Sequence, residues 1–219
     1  MKLIAKKVLP NGNEMVRYDL HIKDTHNFVA NGVVVHNTNC RCGKVLGLDG
    51  MELMAGSMEV RRKMPENNWE NNTYWFPFTI PEVRKMIEEN GNQSKNFIVF
   101  GEVYGPNVQK GYHYDVKSNL GFKVFDILVD GMFFDHDEMK GMCEKYGVEI
   151  APVLYRGPYS IDKIKEIADG ETTVGSGHIR EGVVVRPVKE RNHPSVGRLV
   201  MKYVGSEYLL SKHPDVKDV

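Results

Sequence analysis

The chain has 219 residues, enough to bury a sizeable core in one domain or two. Its 29 basic and 29 acidic side chains cancel, so no whole-chain positive field marks it for nucleic acid, although a local basic cleft stays open. Three cysteines, Cys40, Cys42 and Cys143, are too few and too badly spaced for a disulfide framework, which points to the reducing cytoplasm. The opening Met1-Lys2-Leu3-Ile4-Ala5 runs into charge without a signal-peptide pattern. No apolar run reaches the roughly 20 residues of a membrane helix. The expectation is a soluble cytoplasmic chain with no membrane partner.

In chain order, residues 2–8 alternate weakly and stop at Pro10-Asn11-Gly12-Asn13, a turn signal. Residues 15–22 read as a second strand, and Asn31-Gly32 turns the chain into Val33-Val34-Val35. With no helix before residue 38, this is a small all-β fragment whose strands are too few to stand alone, so it needs a partner to complete its sheet. Residues 38–43 alternate as a strand, with Arg41 on the face opposite Cys40 and Cys42. The Cys-x-Cys pair has no third ligand nearby, so both cysteines read as small packed residues and not as metal ligands. Residues 52–75 are polar and carry Arg61-Arg62-Lys63, which reads as a solvated loop or a phosphate contact.

The first helix is predicted over 81–89, with Thr79 as its cap, Val83, Met86 and Ile87 as its apolar stripe and Gly91 at its end. Residues 96–104 and 121–129, rich in β-branched and aromatic side chains, are strands. A helix over 137–146 turns Met139, Met142 and Cys143 inward. Ser160 caps another over 161–168, with Ile161, Ile164 and Ile167 toward the core. Residues 181–188 and 198–204 close the chain as antiparallel strands. The fold class is α+β, with antiparallel sheets and few helices.

The most informative stretch is residues 18–41, YDLHIKDTHNFVANGVVVHNTNCR. Its ordered set Tyr18-Asp19-Leu20, His26-Asn27-Phe28, Asn31-Gly32 and His36-Asn37, followed by Thr38, resembles the C-terminal piece of a split intein. The chemistry explains those residue types. An asparagine carboxamide can attack its own main-chain carbonyl, form a succinimide and break the following peptide bond. Asn37 would do so at the bond to Thr38. Nucleophile and leaving group are both poor, so proton transfer by positioned imidazoles is required, with His36 and His26 as candidates. The Thr38 hydroxyl would accept the upstream acyl group first. Asp19 matches the family's acidic position and would orient the imidazole network. The blander alternative, that His26 and His36 are ordinary histidines of a small β-domain, does not explain why Asn and a hydroxyl residue follow.

Downstream, four groups of residues stand in order: Gly101-Glu102-Val103-Tyr104-Gly105, Phe125-Asp126-Ile127, Glu181-Gly182-Val183-Val184-Val185-Arg186, and Val200-Met201-Lys202 with Ser206 and Tyr208-Leu209-Leu210. They resemble successive motifs of the covalent nucleotidyltransferases and, within them, of ATP-dependent RNA ligases. The resemblance implies an intein (Hint-type) fragment in residues 1–37 followed by an antiparallel-sheet, ATP-grasp-like nucleotidyltransferase domain in residues 38–219, lacking its N-terminal part. It implies ATP and Mg²⁺ as cofactors and RNA ends as partners. Lys202 would contact the α-phosphate, Arg41 a phosphate or the RNA end, and Glu102 the ribose hydroxyls. Phe125 would stack on adenine and Glu181 would hold Mg²⁺. Against these stand plainer roles: Phe125 as core, Glu181 as a strand end.

The family's first motif runs lysine, any residue, Asp or His, Gly, three residues, arginine, and Thr38-Asn39-Cys40-Arg41 matches only its end. Residues 34–37 contain no lysine. The resemblance therefore places the nucleophilic lysine on a companion polypeptide that also carries the N-terminal intein piece. DNA ends as substrate, guanylyltransfer, and a non-catalytic nucleic-acid-binding module with an inert intein relic are the alternatives. The short stretch after Lys202 favours RNA, since residues 205–219 are too few for the barrel that usually follows in DNA ligases. Val204, where several relatives have a second lysine, bears on the phosphate contact.

Overall fold

The computed structural model describes residues 2–3, 20–21, 27–31, 38–105, 108, 114, 116, 120–175 and 177–210, with the backbone alone at 2–3, 20–21, 27–31 and 38. Strands β1 (Lys2–Leu3) and β2 (Leu20–His21) pair antiparallel as a ribbon of their own. The expected strand at residues 33–35 lies outside the described residues, as do Asp19, His26, His36 and Asn37. Strand β3 (Asn27–Asn31) belongs to neither β1 nor β2, and its neighbours come from far along the chain.

Strand β4 (Thr38–Gly47) runs on past the expected end and doubles back through Leu48-Asp49 into β5 (Gly50–Gly56). Residues 50–56 are therefore strand, a correction to the loop reading. Their Met, Leu, Ala and Gly composition gives little strand signal, and the pairing with β4 decides. The basic knot forms the short β6 (Arg61–Arg62), with Arg61 bonded to Glu52 at 2.8 Å. Beyond it most residues up to Asn71 are exposed, as a solvated loop would be, while aromatics anchor the stretch: Trp75 and Phe78 stack at 5.4 Å, and Trp69 lies 5.2 Å from Trp75. The Trp75 ring N–H donates to the Lys63 carbonyl, so its polar edge is satisfied inside the core.

Helix α1 (Pro81–Gly91) buries Val83, Met86 and Ile87 as expected. Its cap is Ile80, not Thr79, because the Thr79 hydroxyl donates to the Phe76 carbonyl in the preceding turn. Strands β7 (Asn96–Tyr104), β8 (Gly121–Val129) and β9 (Met132–Phe133) complete a six-stranded antiparallel sheet in the order β6-β5-β4-β7-β8-β9. Cys40 and Cys42 are wholly buried in its core with Val99, Val103, Val124 and Ile127. Helix α2 (His136–Tyr146) covers that core with Met139 and Cys143. It starts at a capping box of Asp135 and Glu138 and stops at Gly147, whose φ of 74° suits glycine.

The remaining elements build a second sheet. Strand β10 (Val153–Pro158) is followed by α3 (Ile161–Ala168), where Ser160 accepts from the Lys163 backbone N–H, as a cap should. Ile164 and Ala168 pack on Val183 and Val185 of β11 (Gly182–Pro187). Ile161 is 39 % exposed, against expectation: a three-residue step turns roughly 300°, so Ile161 and Ile167 lie far apart around the helix. A small ribbon of β12 (Asn192–His193) and β13 (Gly197–Arg198) takes the start of the expected last strand, leaving β14 (Met201–Val204), then α4 (Ser206–Leu210). The sheet order is β10-β3-β11-β14, all antiparallel. Among the described residues no helix is long and apolar enough to cross a membrane.

Candidate active site

Strand alternation aims the site residues. On β4 the cysteines enter the core, so Asn39 and Arg41 take the opposite face, in register with Glu102 and Phe100 of β7. Gly101 lies between them because its neighbour Phe122 leaves no room, with ring atoms 2.4 Å from where a Cβ would sit. On β8 the ladder shifts between Phe100 and Gly101, a bulge that allows Val124 and Ile127, three residues apart, both to enter the core. Phe125 and Asp126 are thereby left off the core together. Phe125 is half-buried outside the core cluster, which answers the plainer reading of it as core.

The second sheet contributes from the other side. Lys202 of β14 is in register with Val184 of β11, and Glu181 immediately precedes that strand. Gly182 has φ 151°, and a Cβ there would lie 2.0 Å from the Tyr203 carbonyl oxygen. This explains why glycine follows the glutamate: only glycine allows β11 to start this close to β14.

Glu102, Glu181 and Lys202 meet electrostatically between the two sheets. Glu102 is pushed up to about 8 by burial, then by the Glu181 charge, with Lys202 pulling the other way. Lys202 is open to solvent over much of its side chain, yet partial desolvation lowers its ammonium while Glu181 and Glu102 oppose that shift. Lys123, in register with Glu102, is committed to Glu149 at 2.6 Å, while the Lys202 charge acts on both Glu102 and Glu181. On the same face the Arg41 Nε and the Asn39 Oδ1 are buried without a hydrogen-bond partner among the described residues. Buried groups of this kind are costly unless a ligand satisfies them. Two close buried carboxylates, one held partly protonated, also suit a divalent cation. Among the described residues no group of three or more His, Cys, Asp or Glu could hold one, so phosphate or water would supply the remaining oxygens.

A buried ion network welds the sheets beside this cluster. The Arg186 guanidinium of β11 donates to the Asp126 carboxylate and, at 2.9 Å, to the Phe125 carbonyl of β8. Arg198 grips Asp126 at 2.6 and 2.9 Å and Glu190 at 2.6 and 2.9 Å, and its guanidinium lies 3.7 Å over the Phe133 ring. Sequence reasoning assigned these four residues no role. The available signal was a charge within a largely apolar strand, Asp126 beside Ile127, Leu128 and Val129 in GFKVFDILV and Arg186 in GVVVRP, which demands a buried partner.

The structure thus gathers Glu102, Glu181 and Lys202, with Arg41 and Phe125 on the same side of the first sheet. For Thr38 it describes the backbone alone, opening β4 in register with Val103. Asp19, His26, His36 and Asn37 lie outside the described residues.

Comparison with curated proteins gives no match. Among solved structures, a Naegleria gruberi RNA ligase with a lysine-to-alanine substitution, with ATP and Mn, superposes with a TM-score of 0.65 at 16% identity. A lysine-to-methionine form with AMP and Mn gives 0.65 at 15%, and the ligase with PPi gives 0.64 at 16%. Each covers 84% of this chain and 51% of the other, so the chain spans about half the length of these ligases, and the likeness is one of fold. The family model described as RNA ligase matches residues 35–204, most of the chain and every ligase-like motif as far as Lys202. The chain belongs to the RNA ligase family.

Proposed function

We propose that the chain is a precursor: residues 1–37 are a C-terminal split-intein fragment, and residues 38–219 are the C-terminal part of an ATP-dependent RNA ligase that seals 5′-phosphate to 3′-hydroxyl ends. The observation that carries the ligase reading is the meeting of Glu102, Glu181 and Lys202, on or beside strands of two different sheets, with a buried Arg41 Nε on the same face that has no partner among the described residues. Such a site suits a nucleoside triphosphate. Lys202 meets the charge that builds on the α-phosphate, and Arg41 takes a second phosphate or the RNA end. Glu102 accepts from ribose hydroxyls, for which its partly protonated state leaves both donor and acceptor capacity. Phe125 offers its ring to adenine. Glu181, with Glu102 beside it, would hold a divalent ion such as Mg²⁺, which when bound neutralises phosphate charge.

In the leader the Asn37 carboxamide nitrogen attacks its own main-chain carbonyl carbon. The bond to the Thr38 nitrogen breaks, and the freed amine takes a proton through His36, with His26 and Asp19 supporting the transfer. The acyl group parked on the Thr38 hydroxyl then moves to that amine, so the companion's ligase segment ends bonded where Asn37 was. The nucleophilic lysine arrives with that segment.

Mixing the chain with its companion is expected to release a 37-residue peptide and give a longer joined chain, both visible by mass spectrometry. Asn37→Ala is expected to abolish release of the peptide. Equal release from wild type and variant refutes the splicing reading. Competition between nicked RNA and nicked DNA for the joined product separates RNA from DNA ligation.

A further inference from the structure

In the second sheet β3 stands between β10 and β11, antiparallel to both, and β10 pairs with no other strand among the described residues. On the splicing reading, β3 lies in the segment that leaves. We propose that β3 is a place-holder. It keeps open a one-strand seat between Val153–Pro158 and Gly182–Pro187, which the ligase segment joined to Thr38 takes over when the leader departs.

Four observations support this exchange, which rests on the splicing reading above. First, losing β3 would bare two facing strand edges at once, and unpaired edges inside a sheet are both destabilising and prone to pair with other chains. Second, β3 is the strand that β10 pairs with among the described residues. Otherwise β10 is held by Leu154 and Tyr155 packing on the cluster of α3 and β11, and by an Arg156–Asp137 pair to α2, at 2.6 and 2.7 Å, that is solvent-exposed and worth little. Third, the seat has a defined length. It accepts five residues, opposite Val153 to Pro158 on one side, and both flanking strands end in prolines, Pro158 and Pro187, opposite Asn27 and Phe28. Proline donates no ladder hydrogen bond, so the seat closes at that end and fixes the register. Fourth, the incoming chain is delivered to the seat. Asn31 precedes Thr38 by seven residues, so anything bonded to Thr38 reaches the seat within about 25 Å of chain. Its effective concentration there exceeds that of any free competitor.

Register then specifies the newcomer. Positions opposite Val185 and Pro187 share the face on which Val185 packs against α3, while those opposite Val184 and Arg186 share the face of Lys202 and the site. Held in the same register, the incoming segment carries apolar residues at the eighth and tenth positions before Thr38, where Ala30 and Phe28 now stand. The lysine required by the ligase motif falls at the fourth position before Thr38, just beyond the seat.

Hydrogen exchange on the full chain tests the seat. Ala30→Pro removes a backbone donor in mid-seat and is expected to weaken protection of β10 and β11 amides on the order of 100-fold. Val99 and Ile127 in the first sheet should be unchanged. If β10 and β11 keep their protection, β3 is not their partner. Should the proline variant unfold altogether, Ala30→Cys combined with Val185→Cys in the full chain decides instead: directly opposed Cα atoms lie about 4.5–5.5 Å apart, within disulfide reach. A disulfide between them supports the seat, and none under mild oxidation overturns it. Exchange is then followed while wild type reacts with its companion. Release of the leader with β10 and β11 protected again supports the replacement. Release with both strands left unprotected overturns the exchange alone, and no release at all overturns the splicing reading beneath it.

Discussion

The two sheets of this molecule differ in where their strands come from. All six strands of the first lie between Thr38 and Phe133, whereas the second takes one of its two inner strands from Asn27–Asn31. The first is complete within residues 38–133; the second draws a strand from before Thr38. The site is divided the same way, with Arg41, Glu102 and Phe125 on the first sheet and Glu181 and Lys202 on or beside strands of the second. Half of the proposed nucleotide site therefore rests on a sheet built wholly from residues 38–133. The other half rests on a sheet with an inner strand, β3, that comes from before Thr38.

The division can be broken most severely at the weld. Asp126→Ala leaves Arg186 buried with its main partner gone and frees one side of Arg198. We expect a loss of about 3–5 kcal/mol in denaturant unfolding, felt by both sheets together. A loss confined to one sheet, or none, would show that the network does not join them. Lys202→Met sharpens the functional side of the comparison. In the joined product, transfer of AMP to the enzyme should fall on the order of 100- to 1000-fold, as when one aimed charge-stabilising group is removed. Stability should hardly change, because much of the Lys202 side chain already lies in solvent.

A smaller effect isolates the first sheet. Gly101→Ala places a methyl against the Phe122 ring, which should cost about 1–3 kcal/mol and loosen β7–β8 without altering exchange in β11–β14. The mildest change is a pH signature. Glu102 in the folded chain titrates at about 8, above its ordinary 4.5, so folding takes up a proton in that window. Its contribution to stability is full below 4.5 and is lost as pH rises through about 8. Glu102→Gln should flatten that decline in unfolding midpoints. An identical pH slope in the variant would mean that Glu102 titrates normally.

Strands 96–104 and 121–129 were legible to the residue, because long runs of β-branched and aromatic side chains leave few other options. The candidate residues Glu102, Glu181 and Lys202 were picked out through their motifs, and alternation alone put Arg41 opposite the cysteines. Partnerships across the chain were not. Asp126 meets Arg186 and Arg198 at separations of 60 and 72 residues, distances over which no local pattern carries information. Strand β3 was missed for a similar reason: HNFVANG reads as the approach to a turn, and the two strands that make it a strand come more than 120 residues later. Ile161 was misplaced because a three-residue repeat drifts around a helix.

The most direct test of a ligase made whole by splicing is labelling with ATP radioactive in its α-phosphate, in the presence of Mg²⁺. The chain alone, the chain with its companion, and Asn37→Ala with the companion are compared on a denaturing gel. Covalent AMP is expected only on the joined product, and not at all with the variant. Label on the chain alone, through one of its own lysines, would contradict the claim that its catalytic site is completed from outside.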